Sequence, residues 1–446
     1  MHRFVVIGGG AGGLELATRL GDAFGARRRN PQATVTLIDR NPTHIWKPLL
    51  HEVAAGSMDP YTHQLEYAAQ AYWHGFEFQQ GELTGIDRAA HTVTIAAVDD
   101  DTGREMLPSR SIRYDTLIIA IGSTTHFFNV PGADAHAFAL DTVAEAERFR
   151  RRLIAACTRA ESNDDALRAQ GALPTHKRHR VQIAIVGGGA TGVELSAELR
   201  NTAQVLSAYG LHGLDPRDDI GIVLIESGPR LLPALPERVS TETARLLEAR
   251  AIDVRLGERV TEVAEHAVRT ASGRDIPVDL TVWAAGIKAP RVLSTLDGLT
   301  VNGLGQLNVR PTLQTELDDD IFALGDCAAC VWPTTGRNVP PRAQAAHQQA
   351  EFLFRAMRDR LSGRPLRAFE YRDLGSLVSL GHVTAVGNLM GGLIGGTMFI
   401  DGLFARIMYM SLYRMHIAAL HGIPRMLLDT LAHWLRRRTV PRVKLH

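Results

Sequence analysis

Three glycines near the start of the chain, Gly8, Gly10 and Gly13, have the spacing of a turn that binds a dinucleotide. The apolar run before them predicts a buried strand, and the run after them predicts a helix whose N-terminus would bind a pyrophosphate. In such turns the first glycine permits the sharp bend, the second lets the backbone approach the phosphate, and the third allows close packing of helix on strand. A following strand, "ATVTLIDR", ends at Asp39, where a carboxylate would accept hydrogen bonds from a ribose.

The same pattern recurs near the middle of the chain, in "AIVGGGATGVELSAE", with Gly187, Gly189 and Gly192. The next strand ends at Glu226, farther downstream than usual because residues 209–219 read as an inserted loop. An acid at this position disfavours a 2′-phosphate, so NADH is expected rather than NADPH. Two dinucleotides in one chain imply electron transfer between them. We therefore predict a flavin dinucleotide in one turn and a nicotinamide dinucleotide in the other.

A third element indicates which turn holds the flavin. Each repeat is followed by an apolar strand that closes on a glycine, Gly122 in the first and Gly286 in the second. Later, the stretch "TLQTELDDDIFALGDCA" predicts a short strand that ends in Gly325 and Asp326. It resembles the second flavin signature of the flavoproteins with two dinucleotide-binding domains, whose aspartate binds the ribityl chain. This order assigns FAD to the N-terminal turn and predicts two nested Rossmann-like domains in an α/β fold.

The elements that position these residues belong to an ordinary globular protein. The 446 residues carry a formal net charge of +1, which leaves no electrostatic footprint for nucleic acid, and we predict no metal site. Three cysteines form no disulfide framework, which favours a reducing compartment. Cys327 and Cys330 form a CxxC that could be a redox dithiol, but its position after Asp326 favours structural thiols. The absence of cysteine from "RNPTHIWKPLLHEVAAG" disfavours a disulfide reductase.

Two features lie near the C-terminus. The uncharged run from Ser376 to Ile400 is long enough to span a bilayer, but its six glycines favour short strands broken by turns. From Gly402 onward, arginines and apolar side chains alternate around a single acid, Asp429. This basic, amphipathic composition predicts helices that lie in a membrane interface, with docking in the core or a dimer interface as the alternative.

Longer motifs carry a resemblance to a known family. "HIWKPLLHEVAAGSMD", "VWAAGIKAP", "PPRAQAAHQ" and "MSLYRMHIAALHG" resemble the type II NADH dehydrogenases of bacterial respiratory membranes, and the resemblance extends over essentially the whole chain. It implies a single-subunit NADH:quinone oxidoreductase of the respiratory chain that contains FAD and pumps no protons. It further implies a monotopic protein, often a homodimer, on the cytoplasmic face of the inner membrane. Ubiquinone and menaquinone both remain possible acceptors.

The resemblance also implies roles for individual residues. The positions that match flavin-contacting residues are Gly8, Gly10, Gly13, Asp39, Lys47, Gly122 and Asp326. The positions that match NADH-binding residues are Gly187, Gly189, Gly192, Glu226 and Gly286. Glu194 matches a helix acid that the family places near nicotinamide and flavin. Its counterpart in the first repeat, Glu15, is expected only to pack or to cap the helix.

The motif "PPRAQAAHQQAEF" matches the family's quinone-site helix. Gln344 and Gln348 are four residues apart and share one helical face, from which two amides would donate hydrogen bonds to quinone carbonyls. Gln344 is also expected to contact the cofactor. The alternative is a polar, solvated helix face. His347 points elsewhere on the helix, and its action as a proton donor is a minor alternative.

These patterns predict four parts of the chain. Residues 1–145 and 306–390 would form the FAD domain with the quinone-site helix, 146–305 the inserted NADH domain, and 391–446 the membrane-anchoring region. Two other functions stay open at this point. One is a soluble NADH-dependent reductase of another acceptor, such as a ferredoxin or a thiol, which would have no use for the basic tail. The other is a flavoprotein binding module that senses redox state and turns over slowly.

Overall fold

The computed structural model of the protein describes residues 1–169, 180–209, 215–380, 385–391 and 396–436. Parts of the predicted inserted loop (210–214), of the glycine-rich run (381–384 and 392–395) and of the basic tail (437–446) lie outside the described residues. The helices are Ala11–Phe24 (α1), Leu50–Ala55 (α2), Tyr67–His74 (α3), Ala133–His136 (α4), Val143–Ala169 (α5), Ala190–Tyr209 (α6), Glu237–Glu248 (α7), Ala343–Leu361 (α8), Gly402–His421 (α9) and Ile423–Arg436 (α10).

The first sheet contains both ends of the predicted FAD domain. Its five parallel strands lie in the order Ile321–Ala323, Thr116–Ile119, His2–Ile7, Ala33–Asp39 and Glu77–Gln80. Apart from the polar edge strand Glu77–Gln80, the strands are short runs of β-branched and other apolar residues. Their central side chains are buried, as expected for a parallel sheet covered on both faces. The last strand in sequence pairs beside Thr116–Ile119, so the predicted nesting of one domain within the other is confirmed.

The second sheet repeats this architecture within the insertion. Its five parallel strands lie in the order Ala137–Phe138, Leu280–Trp283, Val181–Val186, Ile220–Ile225 and Ile252–Arg255. In each sheet the strand before the glycine turn is central, and the helix after the turn, α1 or α6, packs against it. The strand Ala137–Phe138 belongs to this sheet although it lies before the predicted limit at residue 145. The domain limits themselves stay a prediction.

Smaller sheets complete the two units, and they are antiparallel apart from the pair Leu307–Asn308 with Ala328–Ala329, which is parallel. Leu83–Asp87, Thr92–Ile95 and Arg110–Arg113 form one, and Val260–Ala264, Ala267–Thr270 and Asp275–Pro277 form its counterpart in the insertion. The two-stranded pairs are Thr43–His44 with Leu65–Glu66, Val98–Asp99 with Glu105–Leu107, Thr124–Thr125 with Ile287–Lys288, Leu307–Asn308 with Ala328–Ala329, and Val331–Trp332 with Arg337–Asn338. The pair Thr124–Thr125 with Ile287–Lys288 joins the two units directly, because one strand comes from each side of the nesting.

The C-terminal part adds a sheet and two helices. Gly375–Ser379, Ala385–Gly391 and Gly396–Asp401 form an antiparallel sheet, which confirms short strands rather than a helix for the described residues of the glycine-rich run. α9 follows, and its Ile417 and Leu420 are buried against the rest of the protein. Among the described residues, no helix has both the length and the apolar character needed to cross a membrane.

Candidate functional site

One cleft of about 2470 Å³ runs past both glycine turns. Gly10 and Gly189, the middle glycines of the two turns, both line it, and so do the first residues of α8. Parallel α/β sheets place their sites outside the carboxyl ends of the strands, and both turns follow such ends here. The cleft therefore joins the two predicted dinucleotide sites to the predicted quinone-site helix.

The first turn has the geometry that its glycine spacing predicts. Gly8 has a φ of +99°, and a Cβ there would collide with the carbonyl of Ala120. A Cβ on Gly13 would collide with the carbonyl of Gly8, so α1 lies directly on the turn. By contrast, a Cβ on Gly10 would have no atom within 4 Å, which means that this backbone faces the open cleft. A phosphate could approach the chain at this point.

The second turn repeats these relations residue for residue. Gly187 has a φ of +114°, and a Cβ there would come within 2.7 Å of the amide nitrogen of Ala285. A Cβ on Gly192 would collide with the carbonyl of Gly187, whereas Gly189 again faces open space. The two turns are thus built alike, and the sequence repeat reflects a structural one.

The acids at the ends of the second strands hold the turns in place. An Oδ atom of Asp39 accepts a hydrogen bond from the amide of Gly9 at 2.6 Å. In the insertion, Glu226 accepts from the amide of Gly188 at 2.6 Å and, with its other oxygen, from Gly228 at 2.6 Å. Burial raises the pKa of Asp39 above its ordinary value. The predicted contact of each acid with a ribose stays a prediction, and its contact with the turn is an additional role.

Lys47 and Asp326 are distant in the sequence, but both form a hydrogen bond with Ser123. Ser123 donates its hydroxyl hydrogen to Asp326 at 2.8 Å, and its carbonyl oxygen accepts from the Lys47 ammonium at 2.9 Å. Lys47 also pairs with Asp141 at 2.8 Å. Burial raises the pKa of Asp326. The two residues that the resemblance assigns to the flavin therefore lie in one cluster at the edge of the cleft.

Two glycines beside the turns have the left-handed backbone that only glycine adopts readily. Gly122 has a φ of +69° and Gly286 a φ of +68°. A Cβ on Gly286 would also collide with the ring of Phe128. Both positions line the cleft, as the repeat predicts.

A third glutamine of α8 was missed by the sequence analysis. The side-chain oxygen of Gln349 accepts a hydrogen bond from the amide of Gly325 at 2.7 Å, and Gln349 is buried. Its position in the helix could have predicted this, because Gln349 falls among the buried apolar residues of α8 and not on the face with Gln344 and Gln348. A buried amide at such a position needs a partner.

Glu194 lines the cleft at the start of α6 and is held by two neighbours. One carboxylate oxygen accepts from the amide of Ser379 at 3.0 Å, and the other lies 3.6 Å from the Nδ1 atom of His51. Burial lowers the pKa of His51 to about 4, so His51 is neutral at pH 7. His51, in α2, was not singled out by the sequence, because nothing local marks its pairing with an acid far along the chain.

Gln344 and Gln348 share one face of α8 as predicted, and their amides bind the segment before the C-terminal sheet. The Gln344 amide donates to Asp373 and to the carbonyl of Gly375, each at 3.2 Å. The Gln348 amide donates to the carbonyl of Arg372 at 2.8 Å and accepts from its amide at 3.0 Å. The described contacts thus tie α8 to residues 372–375. Contact of either glutamine with a quinone, and of Gln344 with the cofactor, stays a prediction.

Glu15 contacts His347, which the sequence analysis did not predict. Glu15 is only 1% exposed, and its carboxylate lies 2.6 Å from the Nδ1 atom of His347 and 2.8 Å from the guanidinium of Arg19. The hydrogen bond with Glu15 raises the pKa of His347. His347 thus points away from the partners of Gln344 and Gln348, as predicted, but it still lines the cleft, and Glu15 does more than cap its helix. The two residues form a hydrogen-bonded pair at the wall of the cleft.

A buried histidine pair was also missed. His44 lies between the first turn and α9: its Nδ1 atom is 2.8 Å from the carbonyl oxygen of Gly9, and its Nε2 atom is 2.9 Å from Nε2 of His416. The ring of Trp46 stacks on His416 with centroids 5.8 Å apart. Tyr67 donates to the same Gly9 carbonyl at 2.7 Å. α9 is thereby linked to the glycine turn through two imidazoles.

Cys327 and Cys330 are both buried free thiols. Burial raises the pKa of Cys327 to about 12 and that of Cys330 to about 11. The thiolate is the reactive form, and these thiols hold their protons at neutral pH. The geometry agrees with the preferred interpretation of structural thiols.

Comparison with known proteins gives consistent results. A family model of the pyridine nucleotide-disulphide oxidoreductases matches residues 2–350. The chain is 43% identical over 449 residues to the type II NADH:quinone oxidoreductase of Haemophilus influenzae, with the whole of both chains covered. It is 31% identical to a demethylphylloquinone reductase of Synechocystis, with 86% of each chain covered.

Solved structures share the fold. The structure of NDH2 from Plasmodium falciparum in complex with NADH superposes with a TM-score of 0.80 at 17% identity, with 100% of this chain and 99% of that chain covered. The sulfide:quinone oxidoreductase of Aquifex aeolicus gives a TM-score of 0.70 at 19% identity, with 95% and 92% covered. At these identities the likeness concerns the fold alone.

Proposed function

The chain belongs to the pyridine nucleotide-disulphide oxidoreductases and, among them, to the type II NADH:quinone oxidoreductases, and on this basis we propose that it oxidises NADH and reduces a quinone. The balanced reaction is NADH + H⁺ + quinone → NAD⁺ + quinol, without proton pumping. The observation that carries the proposal is the single cleft that joins two open glycine turns to α8. A chain with one dinucleotide to bind would not need the second turn.

The first turn fits FAD. Gly10 leaves the backbone open to a pyrophosphate, and the N-terminus of α1 points its free amides there. Asp326, buried and hydrogen-bonded to Ser123, has the position for the ribityl hydroxyls, and Lys47 lies beside it. When bound, the flavin accepts a hydride and releases electrons to the acceptor. The protein's residues supply binding, orientation and charge. The other residues assigned to the flavin site are Gly8, Gly13, Asp39 and Gly122.

The second turn fits NADH. Gly189 faces open space in the same way as Gly10, with Gly187 and Gly192 packed beneath it. Glu226 holds this turn through the amide of Gly188, and with the ribose bound beside it its carboxylate would repel the extra phosphate of NADPH. Gly286 lines the cleft beside this turn, where a side chain would collide with the ring of Phe128. Glu194 lies between this turn and Ser379, where its charge would meet the nicotinamide side of the cleft.

The quinone is assigned to the end of the cleft beside α8. Gln344 and Gln348 present amides whose present partners, in residues 372–375, are mostly backbone groups that water or a quinone carbonyl could replace. His347 lies on the same helix, and its hydrogen bond with Glu15 favours the protonated ring. A quinone that accepts two electrons must also take up two protons, and this pair holds one at the cleft wall.

Membrane attachment and a homodimer also belong to the proposal. The exposed face of α10 carries large apolar side chains, with Ile423 64%, Leu428 67% and Leu431 53% exposed. Basic residues follow in the sequence from Arg436 onward. This combination suits a helix that lies in the headgroup region of the cytoplasmic face of the bacterial inner membrane. The quinone would then enter from the lipid.

Rapid-mixing kinetics tests the oxidoreductase assignment. In Gln348→Leu, bleaching of the flavin absorbance by NADH should stay within about twofold of the wild-type rate, whereas reoxidation by quinone should slow roughly tenfold, since one hydrogen bond to the acceptor is lost. Glu194→Gln is the comparison variant, and it should slow the reduction of the flavin by NADH instead. Equal slowing of both half-reactions by Gln348→Leu would show that the assignment of α8 to the quinone site is wrong.

The same experiment separates the two other functions. A wild-type protein that bleaches with NADH but turns over slowly with every quinone, and quickly with a ferredoxin or disulfide, would be a reductase of another acceptor. A reduced protein that persists with all acceptors would be a redox-sensing module. Fast turnover with a short-chain quinone excludes both.

A further inference from the structure

The exposed apolar face of α10 continues onto the first domain. The last turn of α3 contains Tyr72 and Trp73, which are 71% and 44% exposed. The guanidinium carbon of Arg425, in the first turn of α10, lies 5.2 Å from the centre of a Trp73 ring. The ring of His421, at the end of α9, meets Trp73 edge-on at 6.4 Å. α3 and the beginning of α10 therefore form one continuous surface.

Three consecutive arginines extend this surface. Arg27, Arg28 and Arg29 follow α1 and are all exposed. The guanidinium carbon of Arg27 lies 4.5 Å from the centre of the Tyr72 ring. The amide of Ala26 donates to the carbonyl of Gly75 at 3.0 Å, which fixes the loop against the end of α3. We call Arg27, Arg28, Arg29, Tyr72 and Trp73 the arginine–aromatic patch.

The charge of this surface is positive. Of two acids close to it, Asp429 pairs with Arg414 at 2.6 Å, and Asp22 lies 2.9 Å from the Nδ1 atom of His74. The patch and Arg425 thus present four guanidinium groups around two exposed aromatic rings. Exposed tryptophan and tyrosine with flanking arginine is the composition of proteins that contact the headgroup region of a bilayer.

We propose that the arginine–aromatic patch is a second membrane-binding element, which contacts anionic lipid headgroups while α10 inserts its apolar face. The inference rests on the membrane attachment proposed above and extends it from the C-terminal tail to the N-terminal domain. On α10, Ile423, Leu427 and Leu431 follow one another at intervals of four residues and so share a face. Leu428, which is 67% exposed, widens this face, and it lies three residues after Arg425 on the side of α10 that meets Trp73. Trp73 and Tyr72 would then lie at headgroup level and the three arginines beside the phosphates.

A second copy of the chain is a less suitable occupant. A two-fold interface brings the same patch from both subunits together, so the arginines of one copy would face those of the other. Each arginine near an anionic surface instead favours binding by about fivefold in affinity. The two-point contact would also restrict the orientation of the protein on the membrane more than α10 alone does.

Vesicle binding of the full-length protein tests the patch without any substrate. The probes are vesicles of neutral phosphatidylcholine and vesicles of the same lipid with phosphatidylglycerol added. The triple variant Arg27→Gln/Arg28→Gln/Arg29→Gln should lose about tenfold or more in affinity for the anionic vesicles and little for the neutral ones. The matched control Arg104→Gln/Arg113→Gln/Arg337→Gln removes the same charge from other exposed positions and should bind nearly as the wild type does.

Trp73 gives a second, structural readout. Vesicles with brominated acyl chains should quench part of the wild-type tryptophan fluorescence, and Trp73→Phe should lose that part. All variants should keep wild-type turnover of NADH with a water-soluble quinone, which shows that they fold. Wild-type vesicle affinity of the arginine triple variant, with unquenched Trp73, overturns the inference while leaving the tail as anchor. An altered oligomer with unaltered vesicle binding would assign the patch to a second copy instead.

Failure of the patch and failure of the proposed function are distinguishable. Absence of vesicle binding by the wild type would overturn membrane attachment altogether. Absence of quinone turnover would overturn the enzyme assignment, and neither result depends on the other.

Discussion

The Nε2 atoms of His44 and His416 lie 2.9 Å apart in the interior of the protein. His44 places its Nδ1 atom 2.8 Å from the carbonyl oxygen of Gly9, and a carbonyl only accepts, so Nδ1 carries the hydrogen. The Nε2 atom of neutral His44 is then the acceptor, and His416 is the donor. Burial lowers the pKa of His44 to about 4 and that of His416 well below its usual range, in agreement with two neutral rings.

This pair predicts a stability difference between two substitutions. His416→Leu leaves the Nε2 atom of His44 buried without a donor, and should cost about 1–3 kcal/mol in free energy of unfolding. His416→Gln keeps an N–H donor and should cost less. Urea unfolding near neutral pH measures both, with exposed His266→Leu as the control. Equal losses for leucine and glutamine would mean that packing alone, not the hydrogen bond, holds α9.

The pair also predicts a pH dependence. The unfolded histidines protonate near 6.5, whereas His44 in the folded protein does so at about 4. Below pH 6.5 the unfolded chain therefore binds protons that the folded chain does not, and stability falls as the pH drops toward about 4. His51, with its pKa also lowered to about 4, acts in the same direction. Melting temperatures across this range should fall less steeply in His416→Gln, and parallel curves would contradict the interpretation.

Glu15 and His347 predict a shift of the opposite sign. The hydrogen bond with Glu15 raises the pKa of His347, so the stability it adds is complete below 6.5 and is lost as the pH rises through the folded value. Glu15→Gln should lower the pKa of His347, which NMR of ring-labelled histidine can follow. His266, exposed and far from Glu15 in sequence, serves as the internal control. An unchanged His347 titration would show that the hydrogen-bonded pair does not form in solution.

Asp39 and Glu226 hold equivalent turns and should have separable effects. On the proposed role of Glu226 beside the ribose, Glu226→Gln should narrow the preference for NADH over NADPH in kcat/KM by about 1–3 kcal/mol, because it would remove the charge that repels a 2′-phosphate. Asp39→Asn is the matched change in the first turn and should weaken flavin retention while leaving the NADH preference unchanged. The assignment of the two turns is wrong if Asp39→Asn, rather than Glu226→Gln, alters the nucleotide preference.

Deletion of residues 425–446 should release much of the protein from membranes. The truncation removes most of the exposed apolar face of α10 and the basic residues after it. Oxidation of NADH with a water-soluble quinone should persist, while activity with a long-chain quinone in vesicles should fall far more. Fractionation and paired assays check this. Retention on the membrane with full long-chain activity would place the anchor in α9 or elsewhere.

Much of the fold follows from local sequence patterns. The apolar runs before Gly8 and before Gly187 are short and end at glycines, which predicts buried strands, and glycine at the positive φ of both turns is a local requirement. The nesting follows from one more local signal, Gly325 with Asp326. Patterns of this kind depend only on residues that are close together in the chain, so the sequence alone predicts them.

The polar contacts of the site could not be predicted in the same way. Glu15 and Glu194 occupy equivalent positions in the two repeats, yet Glu15 meets His347 and Glu194 meets His51 and Ser379. Their surroundings differ because α8 packs on α1, close enough that a Cβ on Gly12 would come within 3.0 Å of the Ala346 carbonyl. Such contacts join residues hundreds of positions apart, and no local spacing encodes them.

The nested order of the strands also determines when each part can be completed during synthesis. Leu117 pairs with Ile321, so the first sheet keeps an open edge until the chain has been made beyond Ala323. Every strand of the second sheet lies between these two, and that sheet is complete once Trp283 has emerged. The insertion can therefore fold on the ribosome while the N-terminal unit, made earlier, still waits for its last strand. Exposed edges invite wrong pairing. A ribosome pause between Ile119 and Ala323 would thus be more hazardous for this protein than one after Ala323.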